Sequence, residues 1–364
     1  MTRRQESVRG STQGGITVKT RLFGGLALVA LAGVLATAAL AAGNGHAKKS
    51  AGLKIGVSLA GYSTDFWSSY VSYEKKFAGT YGVSLIGPVS ANGDAGKQLT
   101  DIRTLITEGA QALIINPVDS AAIKPALDLA ASKHIPVVSV DVGPSEGKVY
   151  MVVRANNKLY GNDACQYIGS HASGSGHVAV LEGDLASING RDRSTAFVSC
   201  IKKSFPNLKV AQYATKWDTP TAVNDAKTAL STYKDLKGIY VQWSGPVPGI
   251  LAAEKAVGRY TKVGAAGHVI LVSDDGVPFE MADIRNGVFD ATVSQPANEY
   301  AQYAIYYAKQ AVAGAKYHAG EKTTHGSTIV NLLGNLEDAI VAPLVTKANV
   351  NDPTLWGNAA AKGK

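Results

Sequence analysis

From Lys54 onward, short β-branched runs alternate with longer amphipathic stretches, and the alternation runs through twice. "KIGVSLA" (54–60), "GVSLIGPV" (82–89), "ALIINPV" (112–118), "IPVVSVDV" (135–142) and "VYMVVRA" (149–155) are nearly continuously apolar, as strands buried on both faces must be. Helix-like spans at 66–81, 95–108 and 120–133 separate the early ones. Strand, helix, strand in this order predicts a parallel sheet with right-handed crossovers. The pattern restarts with "HVAVLEG" (177–183), "KVAQYA" (209–214), "LKGIYVQW" (236–243), "HVILVSDD" (268–275) and "FDATVSQ" (289–295), with helices near 190–204, 221–233, 247–260 and 278–286. A helix over 298–313 and a last apolar run, "AIVAPLVT" (339–346), follow. Two such units of roughly 120 to 140 residues each suit an α/β fold of two doubly wound, Rossmann-like parallel-sheet lobes.

With 364 residues, 46% hydrophobic, the chain can bury a substantial core, and its length favours two domains. The formal charge of +8 is partly an end effect, since Arg3, Arg4, Arg9, Lys19 and Arg21 outnumber Glu6 before residue 43. No Lys/Arg run exceeds two residues, so nucleic acid is not an expected partner. The basic start leads into the uncharged "LFGGLALVALAGVLATAALAA" (22–42), which contains Ala39-Leu40-Ala41. This is a signal-peptide pattern, with cleavage expected after Ala41 and delivery to the periplasm. The run is also long enough to be an uncleaved anchor, but the polar "GNGHAKKSAG" that follows favours cleavage. In an oxidising compartment Cys165 and Cys200 are candidates for a disulfide; the alternative is two buried thiols on neighbouring helices.

In open α/β sheets, ligands bind beyond the carboxyl ends of the strands. The polar and aromatic residues at the carboxyl ends of the runs or in the loops that follow are Asp65, Phe66 and Trp67, then Asn116, Asp141, Arg191, Trp217, Trp243, Asp275 and Gln295. Aromatic faces for C–H surfaces and planar polar groups for paired hydroxyls suit a sugar or polyol. Each has a structural alternative: Phe66 and Trp67 as core of the first helix, Asp141 and Asp275 as caps or turn formers, the arginines of "GRDRSTAF" as a solvated helix start, Arg193 above all. Asp274 and Asp275 are neighbours on an extended segment and point to opposite faces, which argues against a catalytic dyad. Asp275 is expected to face the ligand, and Asp274 to cap the next helix or bond backbone near a hinge. No G-x-S-x-G, P-loop or post-strand G-x-G-x-x-G motif is present, and the seven histidines lack ligand spacing. No enzyme activity, cofactor or metal is expected.

"DFW" (65–67), "IINPVDSAAI" (114–123), "IPVVSVD" (135–141), "GRDRSTAF" (190–197), "VSDDG" (272–276) and "ATVSQP" (291–296) together resemble the periplasmic sugar-binding proteins of the ribose-, galactose- and allose-binding type, the solute-binding subunits of ABC importers. The resemblance covers about Leu53 to Lys347. It implies two lobes joined by a three-stranded hinge that close on one monosaccharide or polyol, a membrane permease as partner, and a monomer. It also implies that Phe66 and Trp217 sandwich the ring, that Asn116, Asp141, Arg191, Asp275 and Gln295 bond its hydroxyls, and that Thr64 or Asp65 precedes the first aromatic as a polar contact. Val142 and Trp243 depart from the ribose pattern, replacing polar contacts with apolar bulk. The implied lobes are 52–154 plus 296–328 and 155–295 plus 339–348, with crossings near 154–156, 295–296 and 326–339; the tail at 349–364 has no clear periodicity and is expected to be surface-bound or loose. A sugar-responsive repressor would need a helix-turn-helix where the export signal stands; a module presenting ligand to a chemoreceptor or sensor kinase fits as an alternative.

Overall fold

The computed structural model describes residues 52–362; the expected signal peptide, 1–41, lies outside them. No helix among the described residues is long and apolar enough to cross a membrane. The chain lays down β1 (Lys54–Leu59), α1 (Asp65–Tyr81), β2 (Ser84–Ser90), α2 (Ala95–Thr107), β3 (Ala112–Ile115), α3 (Lys124–Ser132), β4 (Val137–Val140) and β5 (Met151–Ala155) as the first lobe. The second lobe follows: α4 (Asn157–His171), β6 (Gly176–Glu182), α5 (Ile188–Ser204), β7 (Leu208–Ala214), α6 (Thr219–Thr232), β8 (Leu236–Val241), α7 (Val247–Ala256), β9 (Ile270–Asp274), α8 (Pro278–Asn286) and β10 (Ala291–Val293). Then α9 (Ala297–Val312) returns to pack on α1 and the first sheet, followed by β11 (Thr328–Leu332) and β12 (Asn335–Ile340). The chain ends on the second lobe with β13 (Leu344–Val345) and α10 (Trp356–Lys362).

The first sheet runs β11-β12-β5-β4-β3-β1-β2 and the second β13-β10-β9-β8-β6-β7. All pairs are parallel except β11–β12 and β10–β13. In both lobes the first strand lies inside the sheet, β1 between β2 and β3 and β6 between β7 and β8. The order therefore reverses there, and the loops leaving these strands splay apart to open a crevice. Strands such as β3 (ALII) and β4 (VVSV) are buried at every position, which is why their apolar runs are unbroken. Helices show the complementary period: α1 buries Phe66, Tyr70, Glu74 and Ala78 at four-residue spacing.

The structure corrects the sequence reading in several places. Residues 329–340 belong to the first sheet as the β11–β12 hairpin, so the third crossing between lobes falls at 341–343 rather than within 326–339. The hairpin turns on Leu333 (φ 50°) and Gly334 (φ 79°), a two-residue connection whose first position is usually Asn or Asp. A leucine there hides the turn. Of the two readings of the tail, bound or loose, the burial of Val350, Leu355 and Trp356 favours the first and goes beyond a surface contact. They sit at no regular spacing, so neither a helical nor a strand period could reveal them. α4 is absent from the sequence reading although its buried row, Tyr160, Ala164, Cys165 and Ile168, keeps a helical spacing; small and polar residues (Asn157, Gly161, Gly169) share that face and weaken the apolar signal.

The Cys165 and Cys200 sulfurs, on α4 and α5, are bonded. The bond closes a loop of 35 residues' separation. In the chain-entropy treatment that stabilises the folded state by roughly 3 to 4 kcal/mol. Replacing both cysteines by alanine should lower the melting temperature without altering ligand affinity, read by calorimetry and titration side by side.

Candidate functional site

The carboxyl ends of the two sheets face each other across a cavity of about 620 Å³. The lobes touch at its edge, where Ser120 Oγ accepts from the Ile188 N–H at 3.0 Å and Ala186 O accepts from the Ser120 N–H.

From the first lobe, Thr64 caps α1, its Oγ1 accepting from the Trp67 N–H at 3.3 Å. That cap turns Phe66 and Trp67 toward the cavity. Phe66 is only 2% exposed; it packs edge-to-face on Trp67, Tyr300 and Trp356. Trp67 is half-buried and offers more surface. At the end of β3, Asn116 is committed to the protein: Oδ1 accepts from Ala60 N–H, and Nδ2 donates to Val140 O and, at 3.5 Å, to Asp141 Oδ2. Asp141 follows β4 with φ 61°. Its Oδ1 accepts from Asn189 Nδ2 at 3.0 Å and Gln295 Nε2 at 3.1 Å, both from beyond its own lobe. Burial raises its carboxyl pKa, opposed by Arg193 and Arg154.

From the second lobe, Trp217 (φ 63°) follows β7. Its indole lies flat on Gly183, where a Cβ would come within 2.1 Å of the ring, so only glycine lets it settle there. Trp243, after β8, meets Trp217 edge-to-face at 5.5 Å. Asp275, after β9, is buried with φ 108°, and its Oδ2 accepts from the Ser244 N–H (2.9 Å) and Oγ–H (2.7 Å). Burial pushes its carboxyl up to about 6 against these two hydrogen bonds. Gln295, past β10, links Arg193 to Asp141.

Thr64, Phe66, Trp67, Asn116, Asp141, Trp217, Trp243, Asp275 and Gln295 thus line one cavity, with Val142 beside them. Asp65 and Arg191 do not. Asp65, the first residue of α1, faces solvent. Arg191 is exposed, its Nη1 donating to Leu185 O and Ala186 O. Arg193 occupies the place expected for it, contrary to its reading as a solvated residue. Positions 191 and 193 are two apart on α5, about 200° around the helix, so only one can face inward. Asn189, Arg193 and Phe197 form the buried i, i+4 row, and that spacing was the available signal.

Arg193 is 3% exposed and held through all three nitrogens, with one Nη2 N–H left over. Its Nε donates to Asn157 Oδ1 at 2.6 Å, Nη1 to Gln242 O, and Nη2 to Gln295 Oε1 at 2.8 Å. Nη1 also pairs with Asp274 Oδ2 at 3.2 Å, and the guanidinium lies 4.7 Å over Tyr160 and 5.6 Å over Trp217. Asp274 therefore does not cap a helix. It is fully buried, accepts from Tyr240 O–H at 2.7 Å, and burial lifts its carboxyl to about 7 despite Arg193. The cap of α8 is Glu280, whose Oε2 accepts from the Gly276 and Val277 N–H groups. Among the described residues no cluster of His, Cys, Asp or Glu has the geometry to hold a metal.

A lobed α/β fold with two reversed sheets and a ligand-sized crevice at both switch points defines a two-lobe binding protein. The chain belongs to the periplasmic binding protein family, whose domain matches residues 55–316. It is 26% identical over 265 residues to the ribose import binding protein of Haemophilus influenzae, covering 73% of this chain and 87% of that one. It is 26% identical over 234 residues to a xylitol-binding protein of Mycolicibacterium smegmatis, 63% and 64% of the two chains. Among solved structures, an ABC transporter solute-binding protein of Mycobacterium smegmatis with bound glycerol superposes with a TM-score of 0.71 at 25% identity, covering 82% of this chain and 96% of the other.

Proposed function

We propose that the protein captures a monosaccharide or polyol in the periplasm and delivers it to the membrane permease of an ABC importer. The observation that carries this reading is the cavity itself: indole faces from both lobes enclose two buried carboxylates, Asp141 and Asp275, each braced by amide or hydroxyl donors. Braced carboxylates accept from vicinal hydroxyls, and the indoles cover C–H faces. Trp67 and Trp217 are the stacking surfaces and Arg193, not Arg191, the contacting arginine. The lobes open and close about their three crossings, and ligand shifts that population. Purified protein should melt at higher temperature with one class of sugar or polyol; a panel of pentoses, hexoses, deoxysugars and polyols giving no shift at millimolar concentration sinks the proposal. Trp217→Ala should remove most binding and leave the melting temperature of the empty protein nearly unchanged. A presenting role toward a chemoreceptor or sensor kinase would show as ligand-dependent binding to that receptor in cells lacking the permease.

Affinity should also depend on pH with a defined sign. A ligand that donates to Asp275 prefers the ionised carboxylate, and that group sits at about 6 in the empty protein. Binding is then full above that value and weakens as pH falls through it. Titrations from pH 8 to 5 that show flat affinity contradict a hydrogen-bonding role for Asp275.

A further inference from the structure

Charge in the cavity does not balance. Arg193 is the one cation among its buried lining residues, and Asp274, directly behind it, matches that charge. Arg154, beneath the floor, is matched by Asp192 at 3.1 Å and by Glu337 at 3.8 Å. Asp141 and Asp275 are thereby left as two buried carboxylates in no direct ion pair among the described residues, with Arg193 and, for Asp141, Arg154 acting on them without contact, and Val142 beside Asp141 adds no charge. The mouth repeats the bias, since Asp184 and Asp218 outnumber Lys216.

Most of the buried donors are spent as well, one Nη2 N–H of Arg193 excepted. Arg193 uses Nε on Asn157 and Nη1 on Gln242 and Asp274, and gives Nη2 to Gln295. Asn116 and Asn189 turn their amides to Val140 and Asp141. The Trp243 indole N–H has no partner among the described residues but is shut away from solvent. Acceptors remain: Asp275 Oδ2 is held by Ser244, while Oδ1 has no protein partner among the described residues. Trp217 and Trp243, whose indoles meet edge-to-face, line the same cavity.

An uncompensated buried carboxylate is costly, and hydroxyl donors satisfy its lone pairs without cancelling its charge. A carboxylate beside indole faces is also the arrangement that attracts an ammonium, through charge and through the ring quadrupole. We propose that the preferred ligand is a polyhydroxylated amine, an amino sugar or aminopolyol bearing a protonated nitrogen and no acid group, with its ammonium against Asp275 Oδ1 in the cavity that the paired indoles also line. This rests on the sugar-binding reading of the cleft and narrows it.

The test is a set of matched titrations at pH 7. Glucose, glucosamine, N-acetylglucosamine and glucuronate form one set, and the corresponding galactose and mannose compounds two more. Sorbitol with 1-amino-1-deoxysorbitol is the polyol pair. In at least one set the free amine should bind ten-fold or more tighter than its alcohol. The N-acetyl compound should fall to or below the alcohol, and the acid should bind weakest. In Asp275→Asn the amine-to-alcohol ratio should drop toward one; because it is a ratio within one variant, a change in stability cancels. Should that variant fail to fold, the N-acetyl comparison in the unaltered protein carries the same information. Alcohols binding as tightly as their amines in every set, or acids binding tightest, overturn the inference while leaving sugar binding intact. Failure of every compound, and of the wider panel above, overturns both.

Discussion

Arg193→Ala should destabilise the protein by about 3–5 kcal/mol, the usual cost of removing one partner of a buried ion pair, and should abolish ligand binding, whereas Arg191→Ala should change stability by no more than about 0.5 kcal/mol. The contrast follows from the two environments. Arg193 is 3% exposed and holds Asn157, Gln242, Asp274 and Gln295 together; Arg191 is exposed and donates to two carbonyls of the preceding loop. Without the guanidinium, Asp274 keeps only the Tyr240 hydroxyl, and its carboxyl, already at about 7 through burial, must rise further. An acid whose folded pKa exceeds its unfolded value binds more protons when folded, so stability falls as pH rises between the two values. The Arg193→Ala variant should therefore lose stability more steeply than the parent between pH 6 and 9. Denaturant titrations at three pH values check both the size and the slope. If Arg191→Ala proves the more damaging change, the assignment of α5's inward face is wrong.

That pair of arginines also marks where the sequence stops being informative. The two doubly wound lobes are legible because buried parallel strands must be apolar nearly throughout, as in "ALIINPV" and "IPVVSVDV", and because ten such runs recur in two groups. The cavity is legible for a related reason. Strand ends in this topology converge, so Asn116, Asp141, Trp217, Trp243, Asp275 and Gln295 can be placed from their position after a run alone. The choice between Arg191 and Arg193 needs something finer, the rotational phase of a helix whose start at Ile188 was placed only to within a few residues. The fate of Asp274 needs more again. Its opposite orientation to Asp275 follows from strand geometry, but its partner is a residue on another element, 81 positions earlier in the chain. The β11–β12 hairpin stayed hidden because Leu333 occupies a left-handed position, which sequence alone assigns to Asn, Asp or Gly.

Trp356→Ala should be comparably damaging, although the residue lies outside both sheets and outside the cavity lining. Its indole packs edge-to-face on Phe66 at 5.9 Å, and its N–H donates to Asp275 O at 2.9 Å. One side chain thus braces the first-lobe aromatic and the second-lobe carboxylate that face the ligand. Gly357 makes this possible, because a Cβ there would come within 2.2 Å of Gly276 O, and the segment is tied down by Arg285, whose Nη1 donates to Val350 O and Asn358 Oδ1. Truncating a buried tryptophan to alanine costs about 3–5 kcal/mol in packing and cavity terms. Trp356→Phe keeps most of the ring contact and deletes the donor, which should cost about 0.5–1.5 kcal/mol. Both variants should weaken ligand binding, because Asp275 holds φ 108° and the Trp356 bond is one of the contacts that fix its backbone, along with the Gln295 N–H to the same carbonyl. The diagnostic comparison is the phenylalanine variant against a control that loses more stability at a site remote from the cavity, the cysteine pair replaced by alanine. Affinity in the control should be unchanged and in Trp356→Phe reduced several-fold, mainly through faster dissociation. Equal affinities in the two would reduce Trp356 to a packing residue, with no part in holding the ligand-facing carboxylate.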